Sequence, residues 1–138
     1  MNELQEKQLR QKYFEFQLLE QQLKEIQQQH QLLNMNLQEL LKLKESLKEV
    51  ETIKEKKQIL AQLGPRVFIK TELLEKNTVL VDIGSNVVLE KTILEAQGII
   101  QAQMRGIEEN LSLLEKHQTQ IIHLMQKTQQ ELEEQEAK

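Results

Sequence analysis

From Phe16 onward, apolar side chains recur at steps of three and four. The series is Phe16, Leu19, Leu23 and Ile26, then His30 in an apolar slot, then Leu33, Leu37 and Leu40. Residues at those steps share one stripe of an α-helix, and the alternation is the heptad seam of a coiled coil. After Leu40 the apolar series continues at Leu43, Leu47 and Val50, one position early, with Lys44 in the expected slot. This spacing predicts a slip of register that locally alters supercoil pitch. Residues 3–57 contain neither Gly nor Pro, and Gln, Glu and Lys, all good helix formers, fill the outer positions.

A second seam runs through Met104, Ile107, Leu111, Leu114, Gln118, Ile121, Met125, Thr128 and Leu132. It is preceded by Thr92-Ile93-Leu94-Glu95, in which a Thr N-cap with Glu three residues on forms a capping box. Its early part stutters from Ala96 through Ile100 to Met104, and Gly98 and Gly106 each weaken the helix, by about 1 kcal/mol relative to Ala. At about 1.5 Å per residue the two helices would span roughly 80 and 65 Å. A stripe of that length needs a partner, so the pattern predicts that the two pair antiparallel, the first outrunning the second by roughly ten residues.

Between them the period changes to two. Val79, Val81 and Ile83 alternate along one face, Gly84-Ser85-Asn86 can turn the chain, and Val87 and Leu89 return on the same face. This is a hairpin signal. Upstream, Gly64-Pro65-Arg66 leads into Val67, Ile69, Thr71 and Leu73, which again share a face. The stretch from Gln58 to Leu63 reads either as the first strand of that hairpin or as the last turns of the helix. The fold class is therefore mainly α: a long antiparallel coiled-coil hairpin with two small β-hairpins at the helix junction. Its parts are an N-terminal helix over 1–57, two hairpins over 58–91 and a C-terminal helix over 92–138, together one domain. Two hairpins leave unpaired edges that invite other chains. Val67, Ile69, Val79, Val81, Ile83, Val87 and Leu89 are the oligomerisation set this predicts.

Composition agrees with helices that pack along a stripe. Aromatics make up 3%, Trp and Cys are absent, Pro occurs once and Gly four times. The formal net charge is −4, with no basic block, which argues against a nucleic-acid partner. Acid gathers near the C-terminus at Glu131, Glu133, Glu134 and Glu136, and reads as a solvated tail. Without Cys there is neither a disulfide nor a thiolate metal site. The polar stretch from Met1 to Arg10 does not look like a signal peptide, and no apolar run is long enough for a membrane span. The expectation is a soluble cytoplasmic protein without membrane contact.

No catalytic constellation is visible, and no cofactor or metal is expected. His30 lies on the seam, His117 and His123 are badly spaced for a shared ligand, and the two Gly turns lack the Gly-Lys-Ser/Thr context of a phosphate loop. The chain does not read as an enzyme. What stands out is Tyr13, Phe14 and Phe16, three of four aromatics within four residues near the outer end of the first helix. Either they clamp the end of the coiled coil against Met125, Leu132 or a neighbouring subunit, or, with Leu4 and Leu9, they grip an apolar client.

The order helix, two hairpins, helix resembles the alpha-class subunits of the prefoldin family. The residues that carry the resemblance are Ile59-Leu60-Ala61-Gln62-Leu63-Gly64, Val67-Phe68-Ile69-Lys70, Val79-Leu80-Val81-Asp82-Ile83-Gly84-Ser85 and Val88-Leu89-Glu90-Lys91-Thr92. Ala61-Gln62 stands where the family pattern has Val-Pro. The resemblance implies an ATP-independent holding chaperone. It implies a hexamer of two alpha and four beta subunits on a β-barrel platform, with unfolded polypeptides held at the coiled-coil tips and passed to a group II chaperonin. On that reading the client-binding tip comprises Leu4, Leu9, Tyr13, Phe14, Phe16, Met125 and Leu132. A structural coiled-coil scaffold, or a filament subunit of prefoldin type, is the alternative.

Overall fold

The computed structural model describes residues 2–53 and 57–137. Helix α1 spans Glu3–Thr52, followed by strands β1 (Gln58–Gly64), β2 (Val67–Glu72), β3 (Thr78–Gly84) and β4 (Val87–Thr92), then helix α2 (Ile93–Glu136). The chain is mainly helical, with two small antiparallel hairpins between two long helices. The segment expected to carry the first helix to residue 57 includes residues 54–56, which lie outside the described residues, as does residue 138.

The chain divides into two compact units, Met1–Asn36 with Gly106–Lys138, and Leu37–Arg105. In the first, α1 and α2 run antiparallel: Lys12 reaches Glu131, whereas His30 further along α1 reaches Glu115 earlier on α2. The seam positions are the ones withdrawn from solvent, with Ile26, Ile121, Thr128 and Leu132 buried and Phe16, Leu19, Leu23, Leu33, Leu111 and Leu114 half-buried. His30 is accommodated rather than excluded. Its Nδ1 lies 3.1 Å from the Asn34 amide and its Nε2 3.5 Å from a Glu115 carboxylate oxygen. At its N-terminus α1 carries a reciprocal capping box. Gln5 N–H donates to Asn2 Oδ1 at 2.8 Å, and Asn2 N–H donates to Gln5 Oε1 at 3.1 Å.

In the second unit the core is Leu47, Ile93, Ala96, Ile100 and Met104. Leu37, Leu40, Leu41 and Val50 of α1, with Val79 and Val81 of β3, pack around it. The register slip expected after Leu40 comes a turn later: Lys44 and Leu47 keep the heptad, and Val50, three residues on, packs on the core while Glu51 is exposed. Lys44 keeps the seam position, half-buried, with Nζ 3.4 Å from Gln101 Oε1, and Leu43 is exposed. A lysine can line a seam with its methylene stem and carry its charge to the edge, so the heptad passes through Lys44 to Leu47.

Gln58–Gly64 is a strand, not helix: β1 pairs antiparallel with β2, and β3 pairs with β4. Each pair is a separate two-stranded sheet, and the described residues of one chain form no closed barrel. The second turn places Ser85 and Asn86 at φ 54° and 61°, the left-handed pair that a two-residue hairpin turn of matching twist requires. Asp82 Oδ1 accepts the Gly84 N–H at 2.8 Å and braces the turn.

Candidate functional site

The free end of the helix pair is built from the first five turns of α1 and the last turns of α2. Glu3 and Glu6 lie in the first turn of α1, where the exposed N–H groups favour negative charge. The last turn of α2 carries no basic residue to match its C-terminal carbonyls, and holds Glu133, Glu134 and Glu136 instead. Left alone, that end would fray. Two polar links to α1 hold it. Lys12 forms an ion pair with Glu131, and the Tyr13 hydroxyl donates a hydrogen bond to the Glu136 carboxylate. The Glu131 carboxyl is held below its ordinary range by the hydrogen bond from Lys12, and the same bond raises the Lys12 ammonium. The Tyr13 phenol is raised, first by its hydrogen bond to Glu136.

The aromatic cluster therefore divides. Phe16 is half-buried in the seam, Tyr13 is tied to α2 through its hydroxyl, and Phe14 points away, 60% exposed. Leu4 is 64% exposed and Leu9 half-buried. From α2, Met125 is half-buried and Leu132 is only 7% exposed. Leu132 belongs to the seam, and a side chain closed off in this way offers no surface to a client. The apolar surface at this end is that of Leu4, Phe14, Leu18 one turn on from Phe14, and the ring of Tyr13. α1 is 50 residues long and α2 is 44, so the overhang is shorter than the sequence suggested.

Further along the same unit lies an open groove of about 420 Å³, lined by Gln29, Leu32, Leu33, Asn110, Leu113, Leu114 and His117. Leu32 and Leu113 are exposed on it. Heptad reading passed over both because each sits one position before a seam leucine. The signal available was the Leu-Leu doublet itself, since only one residue of a doublet can face the seam.

Of the oligomerisation set, Val67, Ile69, Ile83, Val87 and Leu89 are exposed. Val79 and Val81 are half-buried against the helix core and serve the chain's own packing as well. Among the described residues no group of His, Asp or Glu could hold a metal ion, and no helix is long and apolar enough to cross a membrane.

Residues 19–138 match the family described as Prefoldin subunit. The chain belongs to the prefoldin family. Among solved structures it is similar to a filamentous PFD from Methanocaldococcus jannaschii, with TM-score 0.75 and 18% identity over 83% of this chain and 95% of that one. It is also similar to the prefoldin beta subunit from Thermococcus strain KS-1, with TM-score 0.60 and 16% identity over 92% of this chain and 90% of that one. No curated protein sequence matches. At these identities the two structures speak to the fold: long paired helices joined through small hairpins. Prefoldins are non-enzymatic chaperones that assemble from several subunits, which accords with the exposed apolar residues of both hairpins here.

Proposed function

We infer that this prefoldin is an alpha-class subunit of an ATP-independent holding chaperone. It joins beta-class subunits, as two alpha and four beta, through the exposed apolar face of its hairpins. It holds unfolded polypeptides at the free end of its helix pair and releases them to a group II chaperonin in the cytoplasm. Two hairpins rather than one support the alpha class. The observation that carries the holding role is the exposed Phe14, with Leu18 one turn on and Leu4 and Tyr13 toward the helix start, at an end whose other exposed residues are mostly Gln, Glu and Lys. Exposed apolar groups on such a polar surface mark a contact.

The magnitudes fit holding rather than tight binding. An aromatic buries roughly 150–250 Å². At about 25 cal/mol per Å², partial cover of two or three apolar side chains contributes a few kcal/mol before ordering costs. One tip binds weakly, and several on one platform bind usefully through effective concentration. Weak plural contacts also allow release without nucleotide.

The test is aggregation of a chemically denatured client, followed by light scattering, with this chain assembled with a beta-class partner. Suppression without ATP, lost in part when Phe14 and Leu4 are changed to Ser, is the expected result. No suppression by the wild-type assembly would remove the holding role. A second reading, a structural subunit of a filament, is favoured by the similarity to the filamentous PFD. Long particles of the purified chain that give no client protection would select it.

A further inference from the structure

Two grooves in the first unit occupy the same place on the helix pair. The one at the free end, about 380 Å³, is lined by Gln8, Gln11, Lys12, Glu15 and Gln135. The Leu32 and Leu113 groove lies three heptads further in. Gln8, Gln11 and Lys12 each stand 21 residues before Gln29, Leu32 and Leu33, and Gln135 stands 21 after Leu114. A coiled coil keeps its face over whole heptads, so both grooves open on one flank of the arm. Exposed leucines continue that flank. Leu4, Leu18 and Leu32 follow one another at two heptads along α1. On α2, Leu124 stands one heptad on from His117, which lines the inner groove with Leu113.

Between the leucines the flank carries uncharged amides, Gln11, Gln22, Gln29 and Gln120, all exposed. Of its charges, Lys12 is paired with Glu131 and Glu15, and Glu25 and Lys127 are opposite in sign. The other flank, where Tyr13 meets Glu136, holds Glu6, Glu20, Glu108 and Glu115, each whole heptads from one of those two residues. On the amide flank Gln135 Oε1 is closed off from solvent, and among the described residues nothing donates to it. A buried acceptor without a donor is costly. A turn of that amide presents it to a chain lying in the outer groove, whose N–H groups supply the donor.

These features suit an extended polypeptide. An amphipathic helix, from a partner or from a second arm, brings an apolar residue every three or four positions, and half of these would rest on Gln11, Glu25 and their neighbours. An unfolded chain has backbone N–H and C=O groups in want of partners, and a glutamine amide both donates and accepts. Successive leucines of the α1 row are about 21 Å apart at 1.5 Å per residue, or about six residues of extended chain.

We propose that a held polypeptide runs inward from the tip along this flank, extended, with its backbone on the glutamines and an apolar side chain about every six residues on Leu4, Leu18 and Leu32. The proposal rests on the holding role and names the stretch of client that is held: an uncharged segment with spaced apolar residues, about 13 residues long, which reaches from Leu4 to Leu32.

Fluorescence anisotropy of labelled peptides on the full chain assembled with a beta-class partner tests it. Two peptides of Leu, Ser and Gln are six and fourteen residues long, and a third of fourteen carries Pro so that it cannot become helical. Both longer peptides are expected to bind about tenfold or more tighter than the short one. Leu32→Ser with Leu113→Ser removes that advantage. Gln27→Ser with Thr119→Ser, on the charged flank, does not. Equal binding of short and long peptides, an advantage that survives the double leucine substitution, or one that is lost with Pro would each overturn the proposal and leave the holding role standing. So would a double leucine substitution that changes the mass of the particle without peptide, because another subunit would then be the occupant. Binding of none of the peptides also overturns it, and absence of protection of a denatured client in the same assembly would remove the holding role as well.

Discussion

The Tyr13 hydroxyl donates to the carboxylate of Glu136, the last residue of α2, so one of the three clustered aromatics fastens the helix end while its neighbour Phe14 faces outward. On the holding role proposed above the cluster has two tasks, and single substitutions separate them. Tyr13→Phe keeps the ring and removes the fastening. Its expected effect is faster amide exchange in the last turn of α2, with client protection retained. Phe14→Ser is expected to leave amide exchange unchanged and lower protection. If Phe14→Ser protects as well as wild type, gripping lies elsewhere, for which the Leu32 and Leu113 groove is the next candidate.

The Lys12–Glu131 pair gives the same end a pH dependence at both extremes. The Glu131 carboxyl is depressed by Lys12, so its contribution is complete above the ordinary carboxylate pKa and is lost as pH falls through the depressed value. Lys12 and Tyr13 are raised, so theirs is complete below their ordinary values and is lost as pH rises through the raised ones. Tyr13 is exposed and Lys12 and Glu131 are half-buried at the surface, so the effect is local. Amide exchange of α2 from Glu131 to Glu136, with intrinsic rates corrected for pH, should be slowest between about pH 5 and 9. Lys12→Met should remove the acid limb and leave the alkaline limb of Tyr13.

In α2, Gly98 and Gly106 are exposed interior helix positions, and a Cβ at either meets nothing within 4 Å. Gly98→Ala and Gly106→Ala should each raise stability by about 1 kcal/mol, seen as a higher midpoint of thermal unfolding by circular dichroism. A lower midpoint would show that another subunit needs the space.

The seam depends most on its few fully closed positions. Ile121 is 2% exposed and Ile26 4%. Ile121→Ala should cost about 2–5 kcal/mol, while Leu124→Ala three residues on, at an exposed site, should cost far less. Denaturant unfolding of the assembled protein measures both.

Much of this architecture is legible in the residues. Steps of three and four locate both seams, and Thr92 with Glu95 marks the start of α2: Glu95 N–H does donate to Thr92 Oγ1, at 3.1 Å. The Glu95 side chain instead approaches Lys91, at 3.6 Å, so only half the box forms. Three features were harder to read. Leu43 looked like seam because it is apolar, yet Lys44 takes the place, since a stripe is set by geometry and a lysine stem satisfies it. Gln58–Leu63 contains good helix formers, and only pairing with β2 decides for strand. The 20-residue repeat relating the two hairpins was in plain view at Leu60 and Leu80, Gly64 and Gly84, Val67 and Val87, masked by unlike turns, Pro65-Arg66 against Ser85-Asn86. The fastening of the free end could not be read at all, because Lys12, Tyr13, Glu131 and Glu136 look like ordinary surface residues until the antiparallel register brings them together.

Thr92 closes β4 and caps α2, and the first helical amide, Ile93 N–H, donates to the Asn77 carbonyl at the foot of β3 at 3.2 Å. No spacer intervenes between β4 and α2. That joint is therefore a weld. A load drawn along α2 passes straight into the ladder of the second hairpin, where the strand-pairing hydrogen bonds resist it together. On the holding role proposed above, a pull on the arm that enters α2 is delivered directly to the second hairpin.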